Sequence, residues 1–131
     1  MRTLFSVILL VVVAEAWGSP CDQIDSSLDP NTRAALSGAM STQLHVRRVD
    51  ILKSFRCGSW TILNINTHQA DPAFLFYRND PLVSRYITLW AGAARMDEEE
   101  TIKNWALQNA RGIPPKLAAC FAWYVTKGRT K

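Results

Sequence analysis

The sequence predicts an α+β fold, in which a four-stranded antiparallel meander of two hairpins follows one helix and precedes two more. Three observations support this prediction. Apolar residues recur at helical spacing over residues 30–42, apolar and polar residues alternate between positions 49 and 90, and helical spacing returns beyond Asp97. No repeat, low-complexity tract or long linker interrupts the chain, so we expect one domain.

The N-terminus reads as a secretory signal peptide. Residues 4–13 form an apolar run after Arg2 that is interrupted only by Ser6, and the triplet Ala14-Glu15-Ala16 is of the small-x-small type that signal peptidase accepts. The run spans roughly ten residues, whereas a membrane-spanning helix needs about twenty. We therefore expect cleavage before Trp17, no membrane anchor afterwards, and an extracytoplasmic location, in a periplasm or outside the cell.

Removing the predicted signal peptide, residues 1–16, leaves residues 17–131 as a single domain of common size. The formal net charge of the whole chain is +4, and removal of Arg2 and Glu15 does not change it. Such a mildly basic balance is not typical of a nucleic-acid-binding protein, and export removes the usual partner. We expect no nucleic-acid partner.

Three cysteines in an exported chain suggest one disulfide and one free thiol. Three pairings are possible. We favour Cys21 with Cys120, because a bridge between the ends of the domain closes a long loop and holds a terminus that would otherwise fray. Cys57 precedes Gly58 in an expected hairpin turn, so it is the candidate free thiol.

The elements follow in order along the chain. Asp29 is a plausible cap and Pro30 suits the first position of a helix that runs to Thr42. Alternation then predicts a hairpin around residues 56–59, with its second strand over residues 60–65. A second hairpin would turn at residues 78–81 and continue as a strand over residues 82–90.

Two helices are expected after the sheet. Asp97 and Glu100 are spaced as a capping box for a helix that stops at Gly112. Residues 116–126 suit a helix by the spacing of Leu117, Cys120 and Phe121, although alternating bulky residues would also suit a strand. We predict a helix, and we expect the helices to pack on one face of the sheet.

The sequence contains few candidate catalytic or metal-binding residues. His68 lies three residues before Asp71, but this spacing is not specific for a metal site or for an acid/base pair. Cys57 lies beside Arg56, a cation that would favour the thiolate, but no helix N-terminus follows that would activate it further as a nucleophile. No Cys-x-x-Cys, Gly-x-Ser-x-Gly or phosphate-binding glycine loop occurs. The sequence therefore predicts no metal, no cofactor and no catalytic residue.

The second face of the sheet is the most informative feature. Strand alternation assigns six apolar residues to the core, namely Val49, Ile51, Phe55, Val83, Ile87 and Leu89. The same alternation assigns Leu52, Tyr86 and Trp90 to the other side, joined by Phe76 or Tyr77. Either a terminal helix covers that side, or Tyr86, Trp90, Arg85 and Tyr77 form an exposed patch, because protein interfaces concentrate aromatic and arginine residues.

The sequence thus favours a non-enzymatic exported protein that binds another protein, as an inhibitor, immunity or accessory factor. The alternative is a protein that binds a small molecule or an envelope component in a pocket walled by Trp90, Trp105 and Trp123. An enzyme of unknown class is the third hypothesis. The position of the aromatic residues distinguishes the first two.

Overall fold

The computed structural model describes residues 18–130, so the predicted signal peptide and Trp17 lie outside the described residues. The elements are α1 (Pro30–Leu44), β1 (Asp50–Cys57), β2 (Trp60–Asn66), β3 (Ala73–Tyr77), β4 (Thr88–Ala91), α2 (Glu99–Asn109) and α3 (Pro115–Thr126). The strands form one antiparallel sheet in the order β1-β2-β3-β4. The predicted α+β meander with one helix before it and two after it is confirmed. No helix in this part of the chain is long and apolar enough to cross a membrane.

α1 begins as its sequence predicts. The Asp29 carboxylate accepts a hydrogen bond of 2.9 Å from the backbone N–H of Thr32, and Pro30 occupies the first position, where no N–H is needed. The helix continues two residues past the predicted end, to Leu44. His45 then adopts a left-handed conformation, with φ of 54°, and its N–H bonds back to the last turn.

The first hairpin also matches the prediction, with Gly58 at φ +60° in the turn between β1 and β2. One irregularity was not foreseen. Ile51 pairs with Ile65 and Lys53 with Asn64, so Leu52 is an extra, bulged residue in β1. The bulge reverses the alternation, because one additional residue shifts every following side chain to the opposite face.

The sheet is covered on both faces, so the expectation of helices on one face was wrong. α1 packs on one face, where its buried residues join Val49, Ile51, Ile65 and Leu75. α2 and α3 pack on the other face, whose core includes Phe55, Ile62, Phe74, Phe76, Leu117 and Phe121. Val49 and Ile51 therefore lie on the opposite face from Phe55, because the bulge at Leu52 separates them.

The second half of the sheet differs most from the prediction. β4 spans only Thr88–Ala91, and residues 78–87 form an irregular connection instead of a tight turn followed by a long strand. Val83, Ile87 and Leu89, predicted as core, are 84%, 42% and 41% exposed. The physical reason lies in Asp80, whose carbonyl and carboxylate accept hydrogen bonds from residues 82–84 and hold them in a turn.

The C-terminal helices are confirmed, with two refinements. α2 starts after a short 3₁₀ turn, Met96–Glu98, and the capping contact is the Arg95 N–H donating to the Glu98 carboxylate at 3.0 Å, not the predicted pair of Asp97 and Glu100. Residues 116–126, which could have formed a helix or a strand, belong to the helix α3, as predicted. Its Cys120 forms the disulfide with Cys21, as predicted, and Cys57 is free.

Candidate functional site

An apolar surface lies beside β4. Among the described residues, seven large hydrophobic side chains are exposed, and five of them fall within residues 82–89: Leu82, Val83, Tyr86, Ile87 and Leu89. We name these five the β4 face. Monomeric soluble proteins rarely leave so many large apolar side chains together in water, and contiguous apolar patches mark sites of interaction. The β4 face is therefore the strongest candidate site in this part of the chain.

The connection that bears most of the β4 face is fixed to the end of α1. The Gln43 side-chain amide donates hydrogen bonds to the carbonyl oxygens of Pro81, at 3.3 Å, and Ser84, at 2.9 Å. The Tyr77 hydroxyl in turn donates to the Gln43 side-chain oxygen at 2.9 Å, which orients the amide. Residues 81–84 are thus held by specific bonds, although they belong to no helix or strand.

A groove continues the β4 face along the sheet. Its volume is about 410 Å³, and its lining is largely apolar, including Leu44 and Val46 from the end of α1, Ile65 and Ala73 from the sheet, and Leu89. The groove exists because α1 covers residues of β1, β2 and β3 on this face, whereas Leu89 of β4 is left exposed. Asp71 is the one charged residue in its lining.

The structure does not bring the four predicted binding residues together. Arg85 and Tyr86 lie side by side on the surface and line a small cavity of about 240 Å³ with Gln43. Tyr77 lies beneath them and is fully buried, with its ring centroid 6.5 Å from that of Tyr86. Burial raises the pKa of the Tyr77 hydroxyl. Tyr77 therefore supports the position of Tyr86 but has no exposed surface for a partner.

Trp90 lies on the opposite face of the sheet from Tyr86. Its ring packs edge to face on Phe74 and Phe121, with centroid distances of 5.9 and 5.7 Å, and the Arg129 guanidinium lies 5.6 Å from its centroid. Trp90 is therefore part of the α2 and α3 side of the core. The predicted patch reduces to Arg85 and Tyr86, while Leu82, Val83, Ile87 and Leu89 are surface residues that sequence reasoning missed.

Trp60, Trp90 and Trp105 pack in or against the core on the α2 and α3 side of the sheet. Trp105 packs on Phe76 and Phe121, at centroid distances of 5.7 and 6.4 Å, and Trp60 is buried. Five cavities have volumes of about 240–530 Å³, and none of these five is lined by Trp90, Trp105 or Trp123. The rings fill the core, which is the more common use of tryptophan in a small domain.

His68 has a different partner from the one its spacing suggests. Its Nε2 lies 2.6 Å from a carboxylate oxygen of Asp50, not of Asp71, and Arg48 contacts the same carboxylate at 3.2 Å. The bond from His68, followed by the charge of Arg48, lowers the pKa of Asp50. All three side chains are substantially exposed, and no group of three potential metal ligands occurs among the described residues.

The two edges of the sheet differ in their protection. β1 carries Asp50, Lys53 and Arg56, and residue Asp25 pairs with Arg56 through two backbone hydrogen bonds of 3.2 and 2.7 Å. β4 reads Thr-Leu-Trp-Ala, without a charge or a proline. Among residues 18–130, no backbone hydrogen bond is made to the outer side of β4.

Comparison with known proteins gives no relative, since no family model, curated protein or solved structure matches this chain.

Proposed function

We propose that this chain is an exported, non-enzymatic protein that binds another protein through the β4 face. The observation that supports the proposal is the concentration of five exposed apolar side chains within residues 82–89, including the ring of Tyr86, next to Arg85. Protein interfaces bury such a combination at their centres, because aromatic and arginine side chains supply large contact areas together with polar groups.

The anchoring of this surface supports the same proposal. Gln43 holds the carbonyl groups of Pro81 and Ser84, and Asp80 closes the turn from within. A surface that is already ordered loses less conformational entropy when a partner binds, so more of its contact energy appears as affinity. An apolar surface segment with this many internal bonds is suited to recognition.

An extracytoplasmic location is part of the proposal. The Cys21–Cys120 disulfide suits an oxidising compartment, and the predicted signal peptide supplies the route to it. An inhibitor, immunity or accessory factor of a secreted or periplasmic protein combines this location with a binding surface and needs no catalytic group.

The test is capture from the native extracytoplasmic fraction, with the mature protein as bait, followed by a binding measurement with the captured protein after purification. Val83→Asp introduces a charge at the most exposed position of the β4 face, and Met96→Asp is the matched control, because Met96 is 64% exposed but lies outside that face. We expect Val83→Asp to weaken binding by about tenfold or more and Met96→Asp by less than about twofold.

Circular dichroism and thermal unfolding would first confirm that both variants fold as the parent does. Equal weakening by the two variants, or none by either, would exclude the β4 face as the binding surface. Failure to capture any stoichiometric protein would count against a protein-binding function.

A further inference from the structure

The segment that carries the β4 face contains a single charge. Among residues 81–94, only Arg85 is charged. Arg85 is exposed, and its guanidinium forms neither an ion pair nor a hydrogen bond with a described residue. The nearest acid before it, Asp80, uses its carboxylate to accept a hydrogen bond of 2.9 Å from the Leu82 N–H. The N–H donors of the Arg85 guanidinium are therefore open to a binding partner.

Arg85 and Tyr86 line one cavity together with Gln43, and its volume is about 240 Å³. We name it the Arg85 cavity. The Gln43 side chain is already engaged, because it donates to two backbone carbonyl oxygens and accepts from the Tyr77 hydroxyl. The Tyr86 hydroxyl, like the Arg85 guanidinium, makes no hydrogen bond with a described residue. The cavity is smaller than the usual pocket for a whole small molecule, about 300–1,000 Å³, so it suits a side chain.

We propose that the Arg85 cavity binds the side-chain carboxylate of an Asp or Glu on the surface of the protein partner. The inference rests on the proposed function, and it specifies the chemistry that the partner presents to the β4 face. A carboxylate accepts two parallel hydrogen bonds from a guanidinium, and the hydroxyl of Tyr86 can donate to a remaining lone pair. The charge of the carboxylate is the complement of the one charge that this segment carries.

The surroundings of Arg85 favour a protein surface over a nucleic acid or an anionic membrane. Both of these polyanions are bound by several cations, whereas residues 81–94 supply one. Exposed apolar residues lie on both sides of Arg85 along the chain, Val83 before it and Ile87 after it. A carboxylate in the middle of a partner surface allows contacts on both sides.

The pair would act mainly through specificity. When the apolar side chains around Arg85 contact a partner, they exclude water from the guanidinium. A partner with an uncharged or basic residue at this position would leave the Arg85 charge buried without a counter-charge, which is strongly unfavourable. We therefore expect a partner surface with an acidic residue among apolar ones.

Phenylacetate and phenylacetamide are suitable probes, because they share an apolar ring and differ in the carboxylate. Heteronuclear NMR of the isotope-labelled mature protein would follow a titration with each probe up to about 20 mM. For molecules of this size we expect a dissociation constant of about 1–10 mM for phenylacetate. Phenylacetate should shift the resonances of Gln43, Arg85 and Tyr86, and phenylacetamide should bind at least about fivefold more weakly.

Arg85→Gln removes the charge and should abolish the preference for phenylacetate, while Tyr86→Phe, which lacks only the hydroxyl, should weaken phenylacetate by about twofold to threefold. Arg33→Gln is the matched control. Arg33 is also exposed, outside every ion pair of the described residues, and lines a different cavity beside β1. No binding of phenylacetate, equal binding of the two probes, or an equal effect of Arg33→Gln would overturn the inference.

The captured protein partner separates this inference from the proposed function. We expect Arg85→Gln to weaken its binding by about tenfold or more, and Arg33→Gln by less than about twofold. Weakening by Val83→Asp together with unchanged binding of Arg85→Gln would overturn the carboxylate contact and leave the β4 face as the binding surface. Unchanged binding in both Val83→Asp and Arg85→Gln would contradict the proposed function as well.

Discussion

The two edges of the sheet have opposite characters, and the difference bears on where the proposed binding surface lies. β1 has a bulge at Leu52, charged side chains and a covering segment that bonds to Arg56. β4 has none of these among the described residues, and the apolar β4 face lies next to it. This contrast supports the proposal that a partner binds at the β4 side of the sheet and not at the β1 side.

The covering segment at β1 depends on the Cys21–Cys120 disulfide. This bridge ties residues just before Asp25 to the core helix α3, with a sequence separation of 99. Closing so long a loop restricts the unfolded chain, so we expect the Cys21→Ser, Cys120→Ser double variant to lose about 4–5 kcal/mol of unfolding free energy. Urea denaturation monitored by tryptophan fluorescence would measure the loss.

Cys57→Ser is the control for this change, because Cys57 is a free thiol. We expect it to cost less than about 1.5 kcal/mol, and mass-tagging of the unreduced parent should label Cys57 alone. Labelling of Cys21 or Cys120, or an equal loss of stability in the control, would show that the disulfide does not hold the N-terminal segment.

Two leucine-to-alanine substitutions compare a buried and an exposed part of the sheet. Leu75 and Leu89 are neighbours across β3 and β4, but Leu75 is fully buried whereas Leu89 is 41% exposed. We expect Leu75→Ala to cost roughly 3 kcal/mol, because it leaves a cavity under α1. Leu89→Ala should cost less than about 1 kcal/mol.

Thermal and urea unfolding would measure both variants. Ile87→Ala extends the comparison and should also cost little, since Ile87 is 42% exposed. A cost at Leu89 or Ile87 as large as that at Leu75 would mean that the β4 face is buried in the native protein.

The contribution of Asp25 to the stability of the folded protein should depend on pH. Hydrogen bonds from Ser27 and Arg56 lower the pKa of the Asp25 carboxyl below its ordinary value of 3.8. A lowered pKa in the folded state stabilises the protein above the ordinary value, and this contribution disappears as the pH falls towards the folded pKa. We expect the stability difference between the parent and Asp25→Asn to shrink below about pH 4.

Melting temperatures of both proteins between pH 2 and pH 7 would test this dependence, with Asp22→Asn as the control, since Asp22 forms no ion pair with a described residue. A difference between parent and Asp25→Asn that stays constant across the range would show that the hydrogen bonds of Asp25 with Ser27 and Arg56 do not contribute in solution.

The smallest effect concerns the beginning of β1, where His68 contacts Asp50 at 2.6 Å. This hydrogen bond is the largest cause that lowers the pKa of Asp50. His68→Ala should therefore raise the pKa of the Asp50 carboxyl, and Arg48→Ala should raise it by less. Carboxyl carbon chemical shifts followed by NMR titration would measure both, and an unchanged Asp50 pKa in His68→Ala would show that the contact is absent in solution.

Local signals in the sequence account for most of the elements. Asp29-Pro30 begins α1, Gly58 forms the turn of the first hairpin, and Gly92 follows β4 with φ of 111°. Each signal acts within a few residues, through a cap, a fixed φ or a positive φ, and so it can be read without a structure. The same holds for α3, whose apolar spacing outweighed its β-branched and aromatic content.

Two features of the structure explain why the predicted faces of the sheet were wrong for some side chains. Nothing in the sequence around Leu52 marks it as the extra residue of a bulge, and that one residue separates Ile51 from Phe55. Apolar alternation over residues 82–90 suggested a strand, whereas Asp80 and its hydrogen bonds hold residues 82–84 in a turn. The Asp80-Pro81 pair is a turn signal, and it could have shortened the predicted strand.

The sequence by itself determined the order of the elements, the start of α1 and the first hairpin, because each depends on local chemistry, and it favoured the pairing of Cys21 with Cys120 among three possible pairings. Only the tertiary structure decided which apolar residues are buried. α1 covers apolar residues of β1, β2 and β3, whereas Leu89 of the edge strand β4 stays exposed on the same face, and no local sequence pattern predicts how far a helix extends across a sheet. The candidate surface follows from that packing, since Leu89 of the edge strand is exposed whereas its cross-strand neighbour Leu75 is buried.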